Sequence, residues 1–201
     1  RAFTLLEPRP ARSVLFLATT SEEQGLLGAQ YYADHPAIPL AHTVADINMD
    51  IMNVYGRSRD LMVIGWDKSG LQPLLASAAA KEGLRLEPYA HPETGMFYRT
   101  DLLEFARHGV PAIVTASGHD YVGRPAGWGD RQWAEYFADR YHKPADEFDP
   151  DWDLSGLVQQ AQALFLLGAG LAEGDAWPDW NEGVPFKALR DRERPPAAAS
   201  H

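Results

Sequence analysis

A chain of 201 residues, 45% apolar and 23% charged, is long enough for one sizeable domain with its own core, and no apolar run approaches the ~20 residues of a membrane-spanning helix. The formal net charge of -10, from 18 basic and 28 acidic residues, argues against a nucleic-acid partner and suits a site that attracts cations such as metals or free amines. There is no cysteine, so disulfides and thiolate metal sites are excluded, and any metal falls to His, Asp and Glu.

The chain opens Arg1-Ala2-Phe3, without an initiator Met or a signal-peptide pattern, as expected of a processed or truncated product. Residues 1–6 read as the last turn of a helix, and the Pro-rich stretch 7–12 as a connector that cannot continue it. Residues 13–18 (SVLFLA) form a short, nearly continuous apolar run, typical of a strand buried on both faces. A helix is expected from Ser21–Gln24 through Asp34. Further strands are expected at 43–49 (TVADINM), 61–65 (LMVIG) and 111–116 (PAIVTA), with helices at 73–82 and 102–108, each ended by a glycine. Residues 118–130 are too rich in Gly to be regular. The strong apolar period of 153–172 predicts the last helix. Strands alternating with helices predict an α/β fold, a mixed, mostly parallel sheet between helices. A single domain is expected over 1–190, with a disordered tail over 191–201.

In an open α/β sheet, ligands bind beyond the carboxyl ends of the strands. The residues following the predicted strands are polar and mostly acidic. They are Thr19 to Glu23, Asp50, and Ser117 to Asp120, and the segment Tyr141-His142-Lys143-Pro144 is placed to fold over the same edge. In Glu22-Glu23, neighbouring side chains point apart, so one carboxylate can hold a metal while the other faces an attacking water. Ser21-x-x-Gln24 also matches a helix capping box, with acids favouring the helix dipole. Both readings stand at this point. Asp50 is either a solvated loop acid or a ligand, and His142 has adjacent groups that can orient its ring. His119-Asp120 reads as a pair at the pocket rim.

Taken together, the segments TSEEQGLLGAQYY, DINMD, GMFYRTD, GVPAIV, DYVGRPAGWG and DRYHKPADEFDPDWDLSG resemble metallopeptidase family 28, the co-catalytic zinc aminopeptidases, with bacterial secreted members most similar. The resemblance runs from about Arg12 to Arg190. It implies that Glu22 is the general base, that Glu23 and His142 are ligands of one zinc and Asp50 of the other, and that Tyr141 stabilises the oxyanion. It places Arg99 near the substrate backbone. The loop from Asp120 to Asp130, with Tyr121 and Trp128, is expected to line or cover the substrate pocket. The implied cofactor is a pair of zinc ions in the full-length parent, and the implied substrates are peptides with a free N-terminus. The implied location is secreted or periplasmic. Leu102 stands where many relatives carry His. The family site also needs a His and a bridging Asp upstream of SVLFLA, so the resemblance implies the C-terminal part of a catalytic domain, inactive or weakly active alone and prone to self-association. A non-catalytic module with the peptidase fold, and glutaminyl-cyclase-like acyl transfer, are the alternative readings.

Overall fold

The structure, a computed structural model, describes residues 1–193. Two apolar segments far apart in the chain form the middle of its sheet. They are β2 (Asp60–Ile64) and β4 (Ala112–Ser117), every residue of which is buried. They pair antiparallel, with Leu61 opposite Ser117 and Ile64 opposite Val114. The strand β1 (Asp46–Asn48) runs parallel to β4 on one side, and β3 (Arg85–Pro88) runs parallel to β2 on the other. The resulting four-stranded sheet has the order β1-β4-β2-β3. It is mixed, with two parallel pairs and one antiparallel pair, as the alternation of strands and helices predicts.

Strand alternation divides the core between two faces. Leu61, Val63 and Ile113 pack against α2 (Leu71–Lys81) and α5 (Ser155–Glu173) through Leu71, Leu75, Leu164 and Leu167. On the opposite face, Met62, Ile64, Val114 and Ala116 meet Phe97, Trp180 and α3 (Leu102–Arg107). Helix α1 (Leu27–Asp34) packs on α3, joining Ala29 and Ala33 to Phe105 and Val110. The sheet is therefore sandwiched between helices.

The expected strand at 13–18 does not form. The segment has no ladder partner, and Leu15 and Phe16 are 56% and 67% exposed. An apolar run is buried as a strand only when neighbours supply both the hydrogen bonds and the covering faces, and among the described residues none does. The expected helix from Ser21 is also interrupted. Glu22–Gln24 is a single 3-10 turn, followed by Gly25 and Leu26 in left-handed conformations before α1 begins. Ser21 is itself left-handed and makes no side-chain cap bond, so the capping-box reading fails here. Three elements, β3, α4 (Trp128–Asp139) and α6 (Lys187–Glu193), were not anticipated in the sequence. β3 is a short charged edge strand, a place that tolerates its Pro88, and α4 starts inside the Gly-rich stretch. Of the stretch 191–201, residues 191–193 close the last helix, α6, and the rest lies outside the described residues.

Candidate active site

Because β1 and β4 are parallel, Asp50 beyond β1 and Ser117 at the end of β4, with Gly118 to Asp120 after it, share one edge of the sheet. The loop after Asp50 is fixed from below by two buried glutamines of α5. Gln160 accepts from the Asn53 backbone N–H at 3.2 Å and donates to Thr115 Oγ1 at 3.0 Å. Gln159 accepts from the Ser58 N–H at 3.2 Å and donates to the carbonyls of Ser58 and Glu82. Buried amides with every partner satisfied hold backbone rigidly.

The turn bearing Glu22 and Glu23 is held at its far side by the Gly28 N–H, which donates to the Thr20 carbonyl at 2.9 Å. A Cβ at Gly28 would overlap that Thr20 backbone, so only glycine lets α1 approach this closely. Among the described residues, Ser21, Leu26 and His142 are three of the four non-glycine residues with positive φ. Such backbone strain concentrates at functional sites, and here it flanks the Glu pair and includes the histidine opposite.

His142 and Glu23, from segments far apart in the chain, meet with Nε2 and Oε1 2.7 Å apart. Tyr141 stacks on the His142 ring at 3.8 Å and 22°. Loss of water lifts the Glu22 carboxyl above the usual range. The charges of Glu23, Asp50 and Asp101 lift it further, and His142 opposes them. Asp50 is exposed as a residue, yet neighbours crowd its carboxyl, and desolvation raises it, with Asp101 and Glu23 adding. The Tyr141 hydroxyl is raised by burial and Glu23, with Arg99 opposing. Glu22, Glu23, Asp50, Tyr141 and His142 are thus one electrostatic cluster, and Arg99 stands exposed beside it.

The other predicted pocket residues sit elsewhere. Asp120 is engaged by Arg59 and Arg85 at 2.9 and 3.1 Å, which hold its carboxyl below the usual range. Tyr121, 2% exposed, packs edge-on against Tyr55 and Trp128. None of Asp120, Tyr121 and Trp128 lines the cavity at this edge. That cavity, of about 170 Å³, has a floor of Met62, Ile64, Val114 and Ala116 and a wall of Trp133 and Phe137 from α4, and both Asp50 and Tyr141 border it.

Sequence reasoning missed Asp101 and Asp46. Thr19 Oγ1 donates to Asp101 Oδ2 at 2.5 Å, tying the approach to the Glu pair to the start of α3. Asp46 lies in β1 with an enclosed carboxylate whose Oδ2 has no partner. The one available signal was the acid placed inside an apolar strand, in TVADINM, where acids are depleted.

Metal ligation by these residues is incomplete. Glu23 Oε1 and His142 Nε2 lie 2.7 Å apart and Asp50 adds a further carboxylate, but among the described residues no three His, Cys, Asp or Glu side chains group as a cage. A closed zinc site has about four ligands, and a catalytic one about three protein ligands with an open position. The described side chains therefore do not fit a complete zinc centre.

Comparison with known proteins agrees with the fold. Residues 1–166 match the profile of Peptidase family M28. An aminopeptidase from Aneurinibacillus sp. strain AM-1 superposes with a TM-score of 0.50 at 18% identity, over 78% of this chain and 33% of that chain. The chain thus spans about a third of that aminopeptidase's length. No curated protein matches the chain.

Proposed function

The chain belongs to peptidase family M28, and from that premise we propose that it is the base-bearing part of a zinc-dependent aminopeptidase, which releases N-terminal residues from peptides. The observation that carries the proposal is the convergence of Glu22, Glu23 and Asp50 with Tyr141-His142, fixed by the 2.7 Å contact of Glu23 and His142. Segments far apart in sequence have no structural need to bring three carboxylates and an imidazole to one exposed edge, because an exposed ion pair stabilises a fold by only about 0–1 kcal/mol.

The chain's own groups have clear tasks. Glu22, with proton affinity raised by its surroundings, suits a general base that takes a proton from the attacking water and passes it to the departing amine. The Tyr141 hydroxyl donates to the oxygen that becomes negative when the scissile carbonyl is attacked. The surrounding carboxylates attract the ammonium of a free N-terminus, which favours removal of terminal residues. Arg99 provides a positive charge for the substrate backbone. The two-zinc reading assigns Glu23 and His142 to one ion and Asp50 to the other. These donors fill only part of such a centre, so no step is derived through the metals.

The same incompleteness favours one other reading, a non-catalytic module that keeps the fold. Two measurements separate them. In the full-length protein, hydrolysis of aminoacyl p-nitroanilides is expected to be chelator-sensitive. Glu22→Gln is expected to lower kcat by about 10²–10⁴-fold with KM and Tm unchanged, and wild-type turnover in that variant refutes the mechanism. The 201-residue chain by itself is expected to retain at most one weakly held zinc by elemental analysis, lost on His142→Ala. Two tightly held zinc ions in it overturn the ligand assignment. A secreted or periplasmic bacterial location belongs to the same proposal. No helix among the described residues is long and apolar enough to cross a membrane.

A further inference from the structure

The cavity beside the candidate site is apolar in its floor and wall but not uniformly so. Its volume of about 170 Å³ is close to the ~150 Å³ of an apolar cavity that takes up one benzene, so it admits a single ring. Its polar lining includes Asp50, His91, Asp130 and Tyr141, and two further groups, Thr100 and His119, border it with hydrogen-bonding capacity unspent. Thr100 is 2% exposed, and its Oγ1 has no protein partner. His119 lines the cavity with its Nδ1 occupied by Asp130 Oδ1 at 2.5 Å. Nδ1–H donates to the carboxylate, so Nε2 is left as an acceptor in the neutral ring. The remaining cavity hydroxyls near the floor are spoken for, Thr115 Oγ1 by Gln160 at 3.0 Å and Tyr89 by Thr94.

His119 is held as a reading residue would be. On one side, the Asp60 carboxylate accepts from the N–H groups of His119 and Asp120 at 3.0 and 2.9 Å. A Cβ at Gly118 would overlap Asp60. On the other side, Gly129 of α4 lies so close to the His119 carbonyl that a Cβ there would overlap it. The ring stacks on Trp133 at 6.3 Å and 29°. A side chain fixed at its backbone, on its ring face and at one nitrogen presents the other nitrogen without reorganisation on binding.

We propose that this cavity is a pocket for a phenol-type ring, receiving an N-terminal tyrosine in preference to phenylalanine, with His119 as the specificity-determining residue. His119 Nε2 accepts the phenol O–H and the Thr100 hydroxyl donates to the phenol oxygen. The assignment to a substrate side chain rests on the aminopeptidase reading, whereas the pocket's preference for a ring with a hydroxyl does not.

The test titrates the full chain with p-cresol and with toluene, following heats and the ¹⁵N shift of the His119 ring. p-Cresol is expected to bind about tenfold more tightly than toluene, the share of one hydrogen bond, and to shift the Nε2 resonance. His119→Leu is expected to abolish the preference while toluene binds as before. Asp130→Ala, at an exposed position that leaves the fold intact, is expected to reduce the preference by freeing the ring. Equal binding of the two probes, no binding of either, or a preference that survives both substitutions overturns the pocket. In the full-length protein, kcat/KM for tyrosine p-nitroanilide is expected to exceed that for the phenylalanine compound, and a reversed ratio overturns the substrate assignment. Selective binding of p-cresol with no hydrolysis of either anilide supports the pocket and refutes the aminopeptidase reading.

Discussion

Asp46 gives the chain a pH dependence of stability that one substitution removes. Its Oδ2 is enclosed and unpartnered in β1. Burial, with Asp101 adding, raises the carboxyl from 3.8 to about 7. The unfolded chain therefore releases this proton near 3.8 and the folded chain holds it to about 7. Stability from this group is fully present below the unfolded value and is lost as pH rises through the folded one. At about 1.4 kcal/mol for each tenfold in proton affinity, the loss is about 4 kcal/mol, a large share of the 5–15 kcal/mol typical of a domain. Asp46→Asn keeps the shape and cannot ionise. Urea unfolding followed by circular dichroism between pH 5 and pH 8 is expected to show the wild-type midpoint falling with pH more steeply than the variant's, with the variant the more stable at pH 8. Glu22 and Asp50 are raised in the same direction but are common to both proteins, so the difference between the curves isolates Asp46. Parallel curves for the two proteins would falsify the assignment of a buried, protonated carboxyl.

Two further substitutions test the packing around the site. Gly118→Ala forces a Cβ into the Asp60 carboxylate and carbonyl. It is expected to destabilise the chain by about 1–3 kcal/mol or more, measured as a lower Tm, and a Tm equal to wild type contradicts the close approach. Leu15 and Phe16 are exposed side by side, an apolar surface that favours self-association. A double substitution Leu15→Lys and Phe16→Asp is expected to shift the concentrated chain toward monomer in light scattering, and an unchanged mass shows that this surface takes no part.

The segments of the candidate site were legible in sequence because local chemistry marks them. Glu22-Glu23 before a helix, Asp50 after an apolar strand, and Tyr141-His142 before an acidic stretch are unusual where they stand. Their meeting was not legible. The 2.7 Å contact of Glu23 with His142 joins the turn before α1 to the segment after α4, a long-range meeting that no local pattern states. Asp120, Tyr121 and Trp128 show the converse. Their polar and aromatic character suggested a substrate pocket, yet Arg59 and Arg85 neutralise Asp120 and the other two pack together, while His119 and Trp133 face the cavity instead.

By itself the sequence determined the α/β class, the three strands β1, β2 and β4, and the periodic helices α2, α3 and α5, because apolar period and glycine stops act within a few residues. It also determined that any metal would be held by carboxylate and imidazole. Only the tertiary structure decided that 13–18 stays unpaired, that the helix after Ser21 breaks, and that the ligands fall short of a cage. Strand burial needs partners from elsewhere in the chain, and the Glu22-Glu23 turn, with Ser21, Gly25 and Leu26 left-handed around it, is held by the close approach of Gly28 to the Thr20 backbone. A donor set is complete or incomplete only in three dimensions.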